Sequence, residues 1–471
     1  MRPIRAVSAL LVCLELVGCT REPRTSESPA PGYGVPPPST ASSSASREPV
    51  PRSPDAGAKA APPAPAAPVQ LDPDGDDDPT PTGQGTLPQR AHFEKVGKSP
   101  LSLRQICDLT PLGDALYAAH ALQPLGADGA TISRYRPNQV DKPFSVAFDW
   151  NRPGEPAKGG GAGQGFLRVH LIGGRLFVPD ADPPYNGFGI ADFGTEGYVF
   201  LSGPDGDFAS ARRPKHRPPG PPSTDGRPGA AVLPRAYHVL DVIRYRGRLY
   251  ASTGSVPPKE HAWRGPSPGA LHVASADLSR WTYEVDYPYP WGNGVWRLTF
   301  MVRFKDRLYV GIEDYDGREP NDFLVLSPAP DSSALTRDDI RPVRVTQDGA
   351  AQTLRWYTDR GKLYWIAWGR DGVWLRVTSD GDHWTPIVLP PDLGAPTDIT
   401  RFRDSLVVLT ERALLKLDPQ GPTVIATVDE KKSPFELRDI LCAAPLGVLD
   451  NELYAGGQRK GALYRVVGDD G

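Results

Sequence analysis

An all-β chain built from repeats is predicted by three observations. After about Leu101 the sequence alternates apolar and polar residues in short runs rich in Val, Leu, Tyr and Phe. Gly, Asp and Pro break these runs, and no helical period is sustained. A Leu-plus-apolar unit following a tight turn then recurs seven times: "LGDALYAAH", "IGGRLFVPD", "YRGRLYAST", "FKDRLYVGI", "DRGKLYWIA", "FRDSLVVLT" and "LDNELYAGG". Finally, the anchoring leucines (116, 176, 249, 308, 363, 406 and 453) follow a common core of about 43 to 50 residues with variable insertions. That period is the period of propeller blades. The expectation is a seven-bladed β-propeller over 99–471, preceded by a signal peptide (1–18) and a long disordered tether (19–98).

Each copy reads as a strand, a tight turn, a second strand carrying the Leu unit, and one or two further strands such as "ALHVASAD", "VWLRVTSD" and "DFLVLSP". The third copy, "HVLDVIRYRGRLYASTG", holds His238 and Asp241 three residues apart. On an extended strand that spacing sends the two side chains to opposite faces, which argues against a catalytic dyad. His238 is expected near the channel mouth, and Asp241 is expected to cap neighbouring backbone or line the channel.

The tether follows from composition. From Thr20 to about Gln89 the chain is Pro, Ala, Ser and Asp with almost no large apolar residue, too little to offset the entropy of ordering. Within it Asp72–Asp78 ("DPDGDDD") has the alternate acids of a calcium loop but lacks a closing Glu. A solvated acidic run is the plainer reading. The whole 471-residue chain has a net charge of -3, so no global field points to nucleic acid.

At the N-terminus, two arginines precede an apolar run, Ala6–Val17, too short to span a bilayer as a helix. The Leu16-Val17-Gly18-Cys19 ending resembles the lipobox of bacterial lipoproteins, although Glu15 departs from that pattern. The resemblance implies cleavage before Cys19, acylation of Cys19 and a membrane partner through that lipid. Thr20 carries no Asp-type retention signal, which favours the outer over the inner membrane. Cys107 and Cys442 would then lie in an exported compartment, near the start of the innermost strand of the first and last copies. They either pair across the ring closure or remain two separate buried thiols.

Two copies add Ser275, Asp277 and Trp281 ("SADLSRWT") and Thr378, Asp380 and Trp384 ("TSDGDHWT"). This pattern resembles the Asp-box of sialidase-type propellers, one residue short between Asp and Trp. The resemblance implies a structural turn away from any catalytic centre.

Long loops leave the second strands on one face, where a rigid scaffold usually carries its binding groups. The candidates there are Asp180, Asp182, Tyr185, His238, His261, Trp263, Trp296, Glu313, Asp314 and Asp316. The insertion before His238 is expected to open on the same face. Carboxylates beside aromatic rings suit a sugar, or a calcium ion with a polar ligand; no cofactor is otherwise implied. Gly-x-Ser-x-Gly, His-Glu-x-x-His, phosphate-loop and dinucleotide signatures are absent from the sequence. The expected function is therefore that of a monomeric, lipid-anchored binding module of the cell envelope, with a glycan or protein ligand and no catalytic residue assigned. The alternative is a carbohydrate-active hydrolase or lyase using carboxylates at the channel mouth.

Overall fold

The computed structural model describes residues 82–100, 105–121, 130–149, 165–181, 197–208, 230–233, 237–254, 269–278, 280–287, 296–314, 318–332, 334–428, 431–438 and 441–469. Cys19, the acidic run Asp72–Asp78, Asp182, Tyr185, His261, Trp263 and Asp316 lie outside them. Trp296 opens a strand, without a described side chain.

Among the described residues nearly all regular structure is strand. β1 (Ala91–Lys98) precedes four antiparallel strands in one sheet: β2 (Gln105–Leu112), β3 (Ala115–Ala121), β4 (Thr131–Tyr135) and β5 (Phe144–Asp149). The next four-stranded sheet is β6 (His170–Ile172), β7 (Arg175–Pro179), β8 (Gly197–Leu201) and β9 (Ala230–Leu233). Two four-strand runs follow, joined into one curled eight-stranded sheet by the single pair Gly254↔Arg297. The first is β10 (Tyr237–Tyr245), β11 (Arg248–Gly254), β12 (Ala270–Ala274) and β13 (Trp281–Asp286). The second is β14 (Trp296–Phe304), β15 (Arg307–Asp314), β16 (Phe323–Leu326) and β17 (Ile340–Val343). Two more four-stranded sheets are β18 (Gln352–Asp359) to β21 (Thr385–Ile387), through β19 (Lys362–Gly369) and β20 (Gly372–Thr378), and β22 (Pro396–Phe402) to β25 (Gly421–Thr427), through β23 (Ser405–Thr410) and β24 (Ala413–Asp418). The last sheet joins β26 (Leu446–Leu449), β27 (Glu452–Gly456) and β28 (Ala462–Gly468) to the first strand, in the order β1-β28-β27-β26.

This arrangement is a propeller. The first strand of each run faces a common axis, β2 lies against both β6 and β26, and β14, β18, β22 and β26 follow one another around the ring. β1 closes it by pairing antiparallel with β28, from Ala91↔Gly468 to Lys98↔Ala462, so that N- and C-terminal strands share one sheet. The folded sheet thus begins at Ala91, inside the span assigned to the tether from composition. Residues 82–87 are also engaged: Gln84 N–H donates to Asn451 Oδ1, and Leu87 N–H to Asp404 Oδ1.

All seven anchoring leucines lie in second strands and are buried between neighbouring sheets. These strands, such as "ALYAAHA" and "SLVVLT", are buried along their length because sheets cover both of their faces, which is why they read as near-continuous apolar runs. Outer strands such as β1 and β21 expose alternate or successive residues. The hairpins joining first to second strands turn tightly, with left-handed backbone at Lys305-Asp306, Arg360-Gly361 and Asp450-Asn451. Two successive residues with φ > 0 give a turn whose twist matches the flanking strands. These hairpins define a turn face; the opposite, loop face is where first strands begin and second strands end.

One expectation about the loops changes. The insertion ahead of His238 contains β9, which pairs with β8, so the chain between them links the third strand of that sheet to its fourth. It does not run directly into the first strand of the next, because part of the insertion has its own ladder to satisfy.

Candidate functional site

The channel between the first strands is divided into two layers. Toward the loop face it is filled by Cys107, Leu167, Leu240, Phe300 and Cys442, with Ala121, Ala181 and Leu441 beside them. Cys107 and Cys442 form a disulfide with Cα atoms 4.6 Å apart, tying the start of β2 to the segment before β26. One residue further along several first strands, the lining becomes charged: Asp108 on β2, Asp241 on β10, Arg355 on β18 and Asp398 on β22, with Arg168 just before β6. These groups wall a cavity of about 270 Å³. The lining continues through Thr110 and Pro111, His170 and Leu171, Tyr357 and Thr400, toward the strand ends that carry the hairpins. The cavity therefore opens on the turn face.

Bulges place the charges. The pairing of β2, β10, β18 and β22 with their second strands skips one residue immediately before Asp108, Asp241, Arg355 and Asp398. A bulge twists the strand and frees a backbone N–H or re-aims a side chain, here toward the axis. Each carboxylate then bonds to the main chain of the next run: Asp108 Oδ2 accepts Val169 N–H at 3.0 Å, Asp241 Oδ2 accepts Met301 N–H at 2.6 Å, and Asp398 Oδ2 accepts Leu446 N–H at 2.6 Å. Asp241 Oδ1 and Asp398 Oδ1 also accept Val242 N–H and Ile399 N–H.

The arginines span the channel. Arg355 lies 3.4 Å from Asp108 Oδ1 through Nη1 and 3.4 Å from Asp398 Oδ1 through Nε, and donates to Cys107 O. Arg168, 5% exposed, donates to Leu167 O and Leu354 O and lies over the Phe300 ring, 3.6 Å from its centroid. Burial, reinforced by the like charge of Arg355, pushes the Arg168 guanidinium down to about 10. Burial raises the Asp398 carboxyl against the pull of Arg355 and the two N–H donors. His170 Nε2–H donates to Asp241 Oδ1 at 2.5 Å, and its ring is partly exposed in the cavity wall.

The candidates on the loop face occupy other roles. His238 has left-handed backbone (φ 59) at the first of two register shifts of β10. Its Nδ1–H donates to Ala181 O, and Arg297 donates to its Nε2 at 3.3 Å. Arg297 also pairs with buried Glu313 at 3.0 Å. Asp314 accepts Arg318 N–H and Glu319 N–H, and Asp180 is fully buried where its main chain links Tyr198 and Val239. Asp180, His238, Glu313 and Asp314 are therefore enclosed groups that hold strand ends together. His238 and Asp241 bond to different partners, and Asp241 both lines the channel and caps backbone. Among the described residues no cluster of three or more His, Cys, Asp or Glu side chains is arranged to hold a metal ion.

The two outer turns are hydrogen-bonded internally. Ser275 Oγ–H donates to Asp277 Oδ1, and Thr378 Oγ1–H to Asp380 Oδ1. Asp380 Oδ1 also accepts Asp382 and His383 N–H, which with the His383 ring holds its carboxyl well below the usual range. Trp281 is buried between sheets, and Trp384 packs on Phe323 and Trp365.

Arg168, His170 and Arg355 were not among the sequence candidates. A signal for them existed. Counting back eight residues from each anchoring leucine reaches Asp108, Arg168, Asp241, Phe300, Arg355, Asp398 and Pro445, so five of the seven positions carry charge in or just before a first strand. The repeat register that located the scaffold also located the cavity wall.

Fold and channel together define an all-β propeller with a floored, charge-lined central cavity. No protein-family model and no curated protein matches the sequence. Among solved structures it is similar to a streptogramin B lyase, at 9% identity and TM-score 0.48 over 81% of this chain and 99% of that one. It is also similar to virginiamycin B lyase from Staphylococcus aureus, at 9% and 0.45 over 80% and 99%. The computationally designed Ika8 protein is similar at 10% and 0.42, over 79% and 99%.

Proposed function

We propose that this chain is a seven-bladed binding propeller, held at the cell envelope by acylated Cys19, that takes a small ligand into its central cavity. Seven four-strand runs match the seven repeats, and the internally bonded Ser/Thr-x-Asp turns serve as Asp-box-like structural corners. The observation that carries the binding reading is the cavity itself: it has an apolar floor, charged walls on rigid first strands, and an opening on the face where tether residues 82–87 join the ring. Sites built on strands hold their geometry better than sites on loops. The working site is thus moved from the loop face to the turn face.

Binding is favoured over catalysis because both oxygens of Asp108, Asp241 and Asp398 are already engaged by backbone N–H groups, His170 or Arg355. A general acid–base pair needs a carboxyl group able to reach substrate. A hydrolase or lyase is the second reading, and the His170–Asp241 pair is what favours it.

The test is thermal-shift screening of the full chain against sugars and small metabolites, followed by turnover assays on each hit. A melting-temperature rise that disappears when Thr110→Trp fills the cavity, with the hit recovered unchanged, is expected. Turnover lost in His170→Gln would establish the second reading instead. Cys19→Ala should move the protein from the membrane to the soluble fraction; unchanged fractionation would refute the anchor.

A further inference from the structure

We infer that the cavity selects a small organic acid, whose carboxylate is seated on Arg168 and whose apolar body lies against the floor around Phe300. The inference rests on the reading of the cavity as a ligand site and assigns the ligand's chemical class. Its basis is an imbalance among the charges on the channel wall. All six carboxylate oxygens have partners, and Arg355 is placed between two of those carboxylates. Arg168 differs: its acceptors are two neutral carbonyl oxygens, and no carboxylate lies within ion-pair distance. A guanidinium carries five N–H donors, so those two bonds leave several without a protein acceptor.

Asp108, Asp241 and Asp398 act on Arg168 only from beyond ion-pair distance, and a buried cation with no directly bonded anion gains from one that bonds to it. The Phe300 ring packs under the guanidinium, 3.6 Å from its central carbon to the ring centroid, and restrains its position. A planar fork suits a planar carboxylate better than a point charge does. His170 lies two residues along the same extended stretch and so shares the channel side with Arg168. Its bond to Asp241 engages one of the wall acids that would otherwise repel an anion. The side chains of Leu109, Met301, Ile399 and Leu446 belong to the cores between sheets, so the apolar surface that the channel itself offers is the floor around Phe300, against which a hydrocarbon or aromatic body would rest.

The test uses calorimetry and thermal shift on the full chain with benzoate, hexanoate, their neutral amides and inorganic phosphate. Benzoate or hexanoate should bind at least about tenfold more tightly than its amide, one bidentate charge-assisted contact being worth that much. Arg168→Gln should erase the preference without lowering the melting temperature, because it also removes a buried charge. Arg168→Lys, which keeps charge and loses the fork, should retain only part of the preference and provides the comparison if Arg168→Gln does not fold. Amides that bind as tightly as acids, with binding lost in Thr110→Trp, would overturn the inference and leave the cavity reading standing. Binding of phosphate alone would also overturn it, in favour of an inorganic-anion site. A wild-type protein that binds none of the probes would overturn this assignment, and failure of the wider screen as well would overturn the cavity reading.

Discussion

Asp241 accepts the backbone N–H of Met301 at 2.6 Å, joining the first strand of one four-strand run to the first strand of the next. Asp108 with Val169 and Asp398 with Leu446 repeat the arrangement at two other junctions of the ring. A charged acceptor on a buried amide is among the stronger intramolecular hydrogen bonds, and its loss leaves that amide unsatisfied. Asp241→Asn should therefore destabilise the protein by about 2–3 kcal/mol in urea unfolding. Asp382→Asn, which removes an exposed acid paired with Arg307 and Arg341, should cost no more than about 1 kcal/mol. Equal effects would mean that Asp241 does not clamp the ring.

The disulfide acts at the other closure of the same ring. Cys107 and Cys442 are 335 residues apart, so their bond removes one of the largest loops the unfolded chain can form. Cys107→Ser should lower stability by about 2–5 kcal/mol, as should Cys442→Ser and the double variant. The three should agree, since each removes the same single bond. A double variant much worse than either single would show that packing of the two side chains, rather than the cross-link, is what matters.

His120 supplies a pH dependence whose direction is set by its surroundings. Its Nδ1–H donates to Gln105 O and its Nε2 accepts from Ser133 Oγ, so the ring is held neutral within β3. Burial pushes it down to about 4 from its ordinary 6.5. The unfolded chain thus takes up this proton first as acid is added. The contribution is fully present above pH 6.5, is lost as the pH falls toward 4, and amounts to about 3 kcal/mol at most. Unfolding free energies measured between those limits should fall less steeply in His120→Gln than in the parent. An unchanged slope would show that His120 titrates normally in the folded state.

The scaffold was readable because a propeller repeats its burial problem. Every second strand is covered on both faces, so Leu116, Leu308 and Leu453 recur with small or aromatic neighbours, and the hairpin beside each demands Gly, Asp or Asn. The site was harder to read. Loop length points to the loop face, where the described candidates His238 and Glu313 are buried partners of Arg297. Arg355 sits inside a largely apolar strand and Arg168 in the apolar segment just before one, where a charge in one copy reads as an irregularity. Only superposing the copies shows that the irregularities share one register. Their partners, such as Leu354 O and Cys107 O across the channel, depend on ring closure and are not encoded in local pattern.

The recurrent aromatic after the anchoring leucine has a structural reason that one double-mutant cycle can measure. Tyr309 projects from β15 to the Thr378–Trp384 turn of the next run, where its hydroxyl donates to Gly381 O at 3.5 Å. Gly381 has a left-handed φ of 87°, and a Cβ there would lie 2.0 Å from the Tyr309 hydroxyl oxygen. Tyr117 meets Gly206 in the same way, with a Cβ position 1.9 Å from its hydroxyl. Gly381→Ala therefore adds backbone strain to a steric conflict and should cost about 3 kcal/mol or more. Tyr309→Phe loses one long hydrogen bond and should cost about 1 kcal/mol. In the double variant the missing hydroxyl gives the new methyl room, so the combined loss should fall below the sum by at least about 1 kcal/mol. Strict additivity in chemical denaturation would place the whole cost of Gly381→Ala in its backbone and deny the tyrosine any part in selecting glycine at this turn.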